Sequence, residues 1–302
     1  MVDLKNSVFD RVRVLDSDSV DITDDLGVII SSGVGSNKNQ EVVGGVNTDV
    51  FNAYISEGEI ENTGSLNVEA ADFKPLELFM VEDTPGGDLV VPRVLPEFTF
   101  KAQATTSEHF VVDKFKFGEC VVTAAVGGVL TFEFTGRGTT ARVEDGLLGL
   151  TERNALKIPV IAEKVKVLVD DAEFELVQDL SLTLSRELQG TNGIGSGSKE
   201  SSHVDEGKLN ISLDTFSVKV KDDKAWRLFM RGKETPVASL PYGHKVSRDV
   251  SEIKIELESG DALVVGGALF GEVSPDDMDG SDGDRLVNIT GDALTVSLVR
   301  GA

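Results

Sequence analysis

The sequence predicts an all-β fold made of two tandem β-sandwich domains with mainly antiparallel strands. Apolar and polar residues alternate along many short stretches, and Gly and Asp turns separate these stretches, which is typical of half-buried strands in sandwiches or barrels. Segment 110–119 also returns as segment 263–272 at a spacing of 153 residues, about half of the 302-residue chain. The fold is therefore predicted to occur twice.

Each predicted strand places apolar side chains on one face and polar side chains on the other. In the first half these apolar positions are Val12 and Val14, Leu66 and Val68, Phe98 and Phe100, and Leu130, Phe132 and Phe134. In the second half they are Val165, Val167 and Val169, Leu180, Leu182 and Leu184, Leu209, Ile211 and Leu213, Phe216, Val218 and Val220, Ile253, Ile255 and Leu257, and Leu294, Val296 and Leu298.

One short helix is predicted to flank each domain. In the second half, residues 225–230 follow the capping candidate Asp222 and precede Gly232, a residue that often ends helices. In the first half, residues 73–80 contain Pro75, which suits a first helical turn. Both segments end in Leu-Phe-Met, 150 residues apart.

Further short matches between the halves occur in the same order along the chain. Residues 12–15 match 165–168, residues 33–36 match 193–196, and residues 57–58 match 206–207. We interpret the halves as domains 1–150 and 151–302, coupled tightly by a short connection near 146–154. The alternative is two unrelated β domains of similar composition.

The composition excludes a protein that wraps nucleic acid. The chain has 52 acidic and 29 basic residues and a net charge of −23, so its surface repels phosphates. Such acidity also keeps proteins soluble at high salt, which is compatible with a halophilic host. The N-terminal residues lack the apolar region of a signal peptide, and no stretch approaches the roughly 20 apolar residues of a membrane span. We therefore expect a protein made in the cytoplasm.

No catalytic constellation is evident, so the protein is not predicted to be an enzyme. The single cysteine, Cys120, excludes an internal disulfide and is predicted to be a small buried residue. His109, His203 and His244 have no metal-ligand spacing and are expected in loops or at the surface. The Gly-rich stretch 190–198 lacks the following helix of a phosphate cradle and is predicted to be a hairpin tip.

An acidic loop at 275–284 is the candidate cation site. Carboxylates between glycines suit Ca²⁺ or Mg²⁺, which prefer oxygen ligands. The spacing does not match an EF-hand, and a solvated acidic loop without an ion is the alternative. The candidate ligands are Asp276, Asp277, Asp279, Asp282 and Asp284.

The second half resembles the tail tube proteins of tailed viruses. The resemblance rests on a strand at 182–188, the Gly-rich Gly193-Ile194-Gly195-Ser196, the Glu-Gly strand at 206–213 and the helix at 225–230. It covers roughly residues 164–301 and extends through the repeat to the first half. The first half departs from it at Asp24-Asp25, which stand where Leu184-Ser185 would fall, so we expect a shorter strand there.

The resemblance implies a structural virion protein, the major tail tube subunit, located in the tail. In the family, six tube domains join their inner sheets into one β-barrel around a channel for DNA. Three two-domain chains would supply six domains per ring, and rings would stack into a tube that meets other tail proteins at its ends. Acidic residues from both halves are then expected to line the channel, because a negative wall does not hold DNA.

Two loops are the candidates for contacts between stacked rings. The first is 190–203, with Asn192, Gly193, Gly195, Ser196 and Lys199, and the second is 37–52, with Asn37 and Asn39. The alternative function is a two-domain β-sandwich module that binds a receptor or carbohydrate on a virion or cell surface. One Trp and two Tyr leave few candidates for the aromatic platform of such a module.

Overall fold

A computed structural model of the chain describes residues 11–43, 54–148, 158–173, 177–191, 199–220, 251–275 and 285–301. These residues are mostly antiparallel β-strands, which confirms the predicted all-β fold. The strands are β1 Val12–Leu15, β2 Val28–Val43, β3 Tyr54–Glu69, β4 Val81–Glu82, β5 Leu89–Val90, β6 Phe98–Gln103, β7 Glu108–Ala125, β8 Thr131–Gly138, β9 Thr140–Asp145, β10 Lys166–Val169, β11 Ala172–Glu173, β12 Val177–Thr191, β13 His203–Val220, β14 Ser251–Glu256, β15 Ala262–Pro275, β16 Arg285–Ala293 and β17 Thr295–Val299.

Eight long strands form one sheet to which both halves contribute, called here the shared sheet. Its strand order is β2-β3-β8-β7-β12-β13-β16-β15, and every neighbouring pair is antiparallel. The first four strands come from the first half of the chain and the last four from the second half. The pairing of β7 with β12 joins the two groups into a continuous sheet.

A smaller sheet covers one face of each half of the shared sheet. The first cover sheet has the order β1-β6-β7-β9. The second cover sheet has the order β11-β10-β14-β15-β17, and β5 and β4 of the first half extend it beyond β17. Strands β7 and β15 are long enough to run through a cover sheet and then into the shared sheet.

The strand order of the first half is matched by that of the second. In the shared sheet β2-β3-β8-β7 corresponds to β12-β13-β16-β15, and in the cover sheets β1-β6-β7-β9 corresponds to β10-β14-β15-β17. This match supports the hypothesis of a duplicated domain with halves 1–150 and 151–302.

The passage of β7 and β15 between sheets is also the same in both halves. Lys114 has φ 46° and Gly267 has φ 75°, and they lie 153 residues apart. Each sits in a bulge opposite the preceding strand, between Phe115 and Val112 in one half and between Ala268 and Val265 in the other. Glycine adopts this left-handed backbone without strain, whereas lysine does so at a cost of about 1 kcal/mol.

The strand register corrects two of the sequence matches. Val14 lies opposite Phe100 and Val169 lies opposite Ile253, so Val14 corresponds to Val169 and not to Val167. Gly33 lies inside β2, opposite Ser65, so the match of residues 33–36 with a hairpin tip is wrong. Both errors arose because short Gly-rich or alternating motifs can be shifted by several residues without a visible mismatch.

One hydrophobic core runs between the shared sheet and the cover sheets and includes residues of both halves. Most of the alternating apolar positions are buried in it, as predicted. Leu294 is an exception: it precedes β17 and is 72% exposed. The first half is rich in aromatic contacts, and Phe115 lies 4.9 Å from Phe117 and 5.0 Å from Phe100 between ring centroids.

Helical structure is confined to short segments in the described part of the chain. A 3-10 helix at Lys74–Leu78 confirms the predicted first-half helix, with Pro75 in its first turn. Asp24 and Asp25 lie in a single α-helical turn, α1 Thr23–Leu26, and another 3-10 helix spans Ala162–Lys164. The predicted second-half helix at 225–230 lies outside the described residues. None of the described helices is long and apolar enough to cross a membrane.

Candidate functional site: the junction of the halves, the open edges and the polar face

The junction between the halves is a strand pair at the middle of the shared sheet. Seven residues of β7, from Glu119 to Ala125, pair with seven residues of β12, from Ser185 to Asp179. On the core side Cys120 and Val122 lie opposite Leu184 and Leu182, and all four side chains are buried. The junction therefore combines backbone hydrogen bonds with apolar packing, as inside a single domain.

A buried ion pair closes one end of this junction. Lys116 of β7 is 1% exposed, and its Nζ donates hydrogen bonds to the Glu206 carboxylate at 2.6 Å and to the Val204 carbonyl at 3.2 Å. The second Glu206 oxygen accepts a hydrogen bond from the Leu95 amide at 3.1 Å and lies 3.5 Å from Arg186. Because both charges are paired, the cost of burying them is offset only in this arrangement of the halves.

Residues 199–201 form a second contact between the halves. The Lys199 carbonyl accepts a hydrogen bond from the Ile60 amide at 2.9 Å, and the Glu200 carboxylate accepts one from the Ala141 amide at 3.1 Å. The Ser201 hydroxyl bonds to Glu59, which also accepts a hydrogen bond from Arg137 at 2.9 Å. The end of the β12–β13 connection is thus held against the first half.

A third contact is made by the β4–β5 hairpin of the first half. Leu89 and Val90 of β5 pair with Leu298 and Ser297 of β17, so the first half adds two short strands to the second cover sheet. Arg300 strengthens this contact by ion pairs with Glu82 at 2.9 Å and Glu77 at 3.4 Å. The hairpin crosses from one half to the other on the side of the molecule away from the shared sheet.

The shared sheet ends in two open edges among the described strands. Strand β2 pairs only with β3, and the shared-sheet part of β15 pairs only with β16. At the β15 edge Leu269 is 48% exposed, and the exposed Leu294 lies beside Gly267 of the same strand. Leu269 stands 153 residues after Lys116 and is therefore its counterpart in the second half. Lys116 is buried at the internal junction, whereas Leu269 is exposed at the open edge.

The face of the shared sheet away from the core is polar and acidic. One row of residues crosses all eight strands on this face: Ser31, Asn67, Glu133, Val121, Thr183, Ser212, Asp292 and Leu269. Six carboxylates project from this face, from Glu69, Glu119, Glu133, Asp179, Asp214 and Asp292. Lys116 and Arg137 lie toward the hairpin end of this sheet, and both are held in ion pairs with glutamates.

A groove at the hairpin end of this face crosses the internal junction. Its lining includes Gly33, Thr63, Glu119, Arg137 and Glu187, and contains neither histidine nor cysteine. Arg137 bonds to Glu61 and Glu59 at 2.9 Å, so its charge is balanced within the first half. The groove offers polar surface without a nucleophile paired to a base, the arrangement that covalent catalysis requires.

The residues proposed for ring contacts and cation binding are placed as follows. Asn37 and Asn39 lie in β2, where Asn37 pairs with Glu61, so residues 37–43 are strand and not loop. Lys199 lies against Ile60 of the first half. Asn192, Gly193, Gly195, Ser196, Asp276, Asp277, Asp279, Asp282 and Asp284 lie outside the described residues. In the described residues no group of three or more His, Cys, Asp or Glu side chains is arranged to hold a metal ion.

Two reactive side chains occupy buried positions. His109 was expected at the surface but lies buried in β7, where its ring contacts the Gly146 carbonyl at 3.1 Å and Glu144 at 3.2 Å. Cys120 is buried in the core, as predicted, and desolvation raises the pKa of its thiol. A thiol that stays protonated inside a core does not act as a nucleophile.

The comparison with protein families agrees with this architecture. The family model described as phage tail tube protein matches residues 18–293, which includes strands of both halves and the junction between them. No curated protein matches the chain.

The Lys116–Glu206 pair allows a test of the internal junction. Lys116→Met should lower the free energy of unfolding by about 3–5 kcal/mol, because Glu206 would lose its closest cationic partner while buried. The double variant Lys116→Met/Glu206→Gln should recover part of that loss, because the Glu206 carboxylate charge is no longer buried without Lys116. Urea unfolding followed by circular dichroism would measure both.

The matched control for this test is Lys254→Met, which removes a Lys–Asp pair with Asp171 from the surface and should change stability little. Equal losses for Lys116→Met and Lys254→Met would contradict the assignment of the buried pair as the clamp between the halves.

Proposed function

The chain belongs to the phage tail tube protein family, and we propose that three copies form a closed ring of the tube. The family is structural, and its members are components of the virion tail, assembled after synthesis in the host cytoplasm. Each ring would contain six domains in pseudo-sixfold arrangement, and stacked rings would enclose a channel for DNA. The observation that carries this proposal is the shared sheet, which is continuous between the halves and has two open edges among the described strands.

The internal junction supplies a template for the junction between copies. Strand β15 corresponds to β7, and β2 corresponds to β12, so β15 of one copy would pair with β2 of the next. When the β7–β12 register is carried over, Val273 lies opposite Ser36 and Pro275 lies opposite Val34. Such pairing would satisfy the backbone groups of both open edges, which otherwise invite uncontrolled association.

The number of strands favours three copies over two. Three eight-stranded sheets with strands about 4.8 Å apart and tilted by about 40° close into a barrel roughly 45–50 Å across between backbones. By the same geometry, two copies would close into a barrel only about 30 Å across between backbones, and side chains from the opposite walls would narrow this further. The larger barrel leaves room for a hydrated DNA duplex, and the smaller one is a tight fit.

The polar face would then line the channel. Its six carboxylates have no ion-pair partner within the described residues, and four of them, Glu133, Asp179, Asp214 and Asp292, are exposed. DNA phosphates are attracted by lysine and arginine and repelled by carboxylates, and a repelling wall lets DNA slide without stopping. The core-facing side cannot take this role, because it is covered by the two smaller sheets.

The open edge can be tested by a charge placed on it. Leu269→Glu should abolish rings and tubes, because an unpaired carboxylate would have to be buried at the junction between copies. Negative-stain electron microscopy and size-exclusion chromatography of the purified protein would show this. Val20→Glu is the control, since Val20 is also exposed, at 57%, but belongs to neither open edge of the shared sheet. Tubes of normal length from Leu269→Glu would refute the proposed junction.

The acidic channel can be tested by reversing its charge. Tubes of the double variant Glu133→Lys/Asp292→Lys should retain short duplex DNA at low salt and release it as salt rises, whereas wild-type tubes should not bind it. Asp18→Lys/Glu258→Lys makes the same change in net charge at exposed positions outside the polar face and serves as the control. Co-sedimentation with labelled DNA measures retention. Equal binding by both double variants would contradict a channel lined by the polar face.

A further inference from the structure

The Lys116–Glu206 pair holds an amine and a carboxyl group in contact where little water reaches them. The Lys116 side chain is 2% exposed and the Glu206 side chain 7% exposed, and Nζ lies 2.6 Å from Oε1. The two residues belong to β7 and β13, which come from different halves and are separated by β12 in the shared sheet. Burial favours a product without charge, because ionised groups cost far more out of water than an amide does.

The second oxygen of the Glu206 carboxyl group faces two donors. The Leu95 amide donates a hydrogen bond to Oε2 at 3.1 Å, and Nη1 of Arg186 lies 3.5 Å from the same atom. Donors aimed at a carboxyl oxygen stabilise the negative charge that develops there when a nucleophile adds to the carboxyl carbon. Glu206 therefore has the surroundings of an acyl group prepared for attack, and the Lys116 amine is the nucleophile beside it.

A second carboxylate lies near the Lys116 amine. Oε1 of Glu97 is 3.6 Å from Nζ, and 41% of the Glu97 side chain is exposed. A lysine attacks only as the neutral amine, so the ammonium group must first lose a proton, and Glu97 is placed to take it. The Val204 carbonyl accepts a hydrogen bond from Nζ at 3.2 Å and so helps to fix the position of the amine.

We propose that Lys116 and Glu206 condense into an amide that cross-links the two halves of the chain. The bond between Nζ and the Glu206 Cδ forms, and the bond between Cδ and Oε1 breaks. Two protons of the ammonium group pass to Oε1, one of them through Glu97, and Oε1 leaves as water while the third proton stays on the amide nitrogen. An ammonium and a carboxylate contain all the atoms of an amide and water, so the step needs no oxidant, reductant or cofactor. The ion pair is the reactant, each chain reacts once, and the step is independent of the proposed ring.

The fold supplies what this reaction lacks between free side chains in water. Two groups held in the right geometry react as if one were present at about 10⁵–10⁸ M, and exclusion of water disfavours the reverse step. A surface pair with similar distances lacks these advantages. Nζ of Lys254 is also 2.6 Å from Asp171 and lies 3.1 Å from Glu252, but the Asp171 side chain is 79% exposed, so water stabilises the charged groups.

Mass spectrometry of the purified full chain under denaturing conditions tests the cross-link. We expect an intact mass that is lower than the sequence mass by one water molecule. Trypsin should then release residues 115–137 joined to residues 200–208, because it does not cleave after a lysine whose amine is part of an amide. Peptides that contain Lys254 and Asp171 should remain unlinked and serve as the internal control.

Glu97→Gln tests the proton transfer in a chain that should still fold, because the Glu97 side chain is partly exposed. The linked fraction should rise about 100-fold more slowly than in the wild-type chain, since glutamine does not take the proton. Glu258→Gln makes the same change at an exposed glutamate paired with Lys164, and this control should link at the wild-type rate. Samples taken at intervals after induction of expression measure both rates.

The results decide between a cross-link and a simple ion pair. A water loss that maps to Lys116 and Glu206 supports the cross-link. A wild-type chain that is folded by circular dichroism and keeps its full sequence mass overturns the proposal, as does a water loss that maps to other residues. Equal linking rates for Glu97→Gln and Glu258→Gln overturn the role of Glu97 in the proton transfer.

Discussion

Unpaired strand edges are the constraint on which this molecule depends. Each half on its own would expose the backbone of a long strand on either side of its four-stranded portion of the shared sheet. The β7–β12 pair removes two of these edges inside the chain, and apolar side chains on its core side make it as well packed as a domain interior. The remaining long edges in the described sheet are β2 and the end of β15. Because β15 corresponds to β7 and β2 corresponds to β12, these two edges match each other as β7 matches β12.

The internal junction and the open edge differ in chemistry at equivalent positions. The internal junction buries Lys116 against Glu206, an arrangement that contributes little net stability but penalises any other placement of the halves. The open edge carries Leu269 instead, which can be exposed in the free subunit and buried on assembly without desolvating a charge. This difference suits a permanent junction inside the chain and the proposed junction between separate copies.

The two halves keep the same strand order with different cores. Phe100, Phe115 and Phe134 of the first half correspond to Ile253, Ala268 and Ile289 of the second. The bulges of β7 recur in β15 although the aromatic cluster does not, so the apolar pattern of the core is kept with smaller side chains in the second half.

Alternation along the chain was sufficient to predict most strands and the all-β fold, because the period of two is a local property. The sequence match at a spacing of 153 residues identified the correspondence of β7 and β15, because that match is also local. The β7–β12 junction joins residues distant in sequence, and strands β4 and β5 are only two residues long, so neither leaves a local signal. His109 was misplaced because a buried histidine with polar partners looks like a surface residue in sequence.

The identity of the polar face was also beyond prediction from alternation alone. A pattern such as Phe132-Glu133-Phe134 separates two faces, but the covering sheets decide which face is enclosed. Once the cover sheets are placed, the carboxylates of both halves fall on the face that neither cover sheet occupies. In the proposed ring, this is the face that would line the channel.

The central claim is that the shared sheet closes on itself through copies of one junction. Electron cryo-microscopy of assembled tubes tests it most directly, because individual strands of the barrel wall can be traced. We expect three chains per ring, with β15 of each chain hydrogen-bonded to β2 of the next in the register of β7 with β12. A ring in which β2 or β15 faces solvent, or in which the polar face lies outside the channel, would contradict the account.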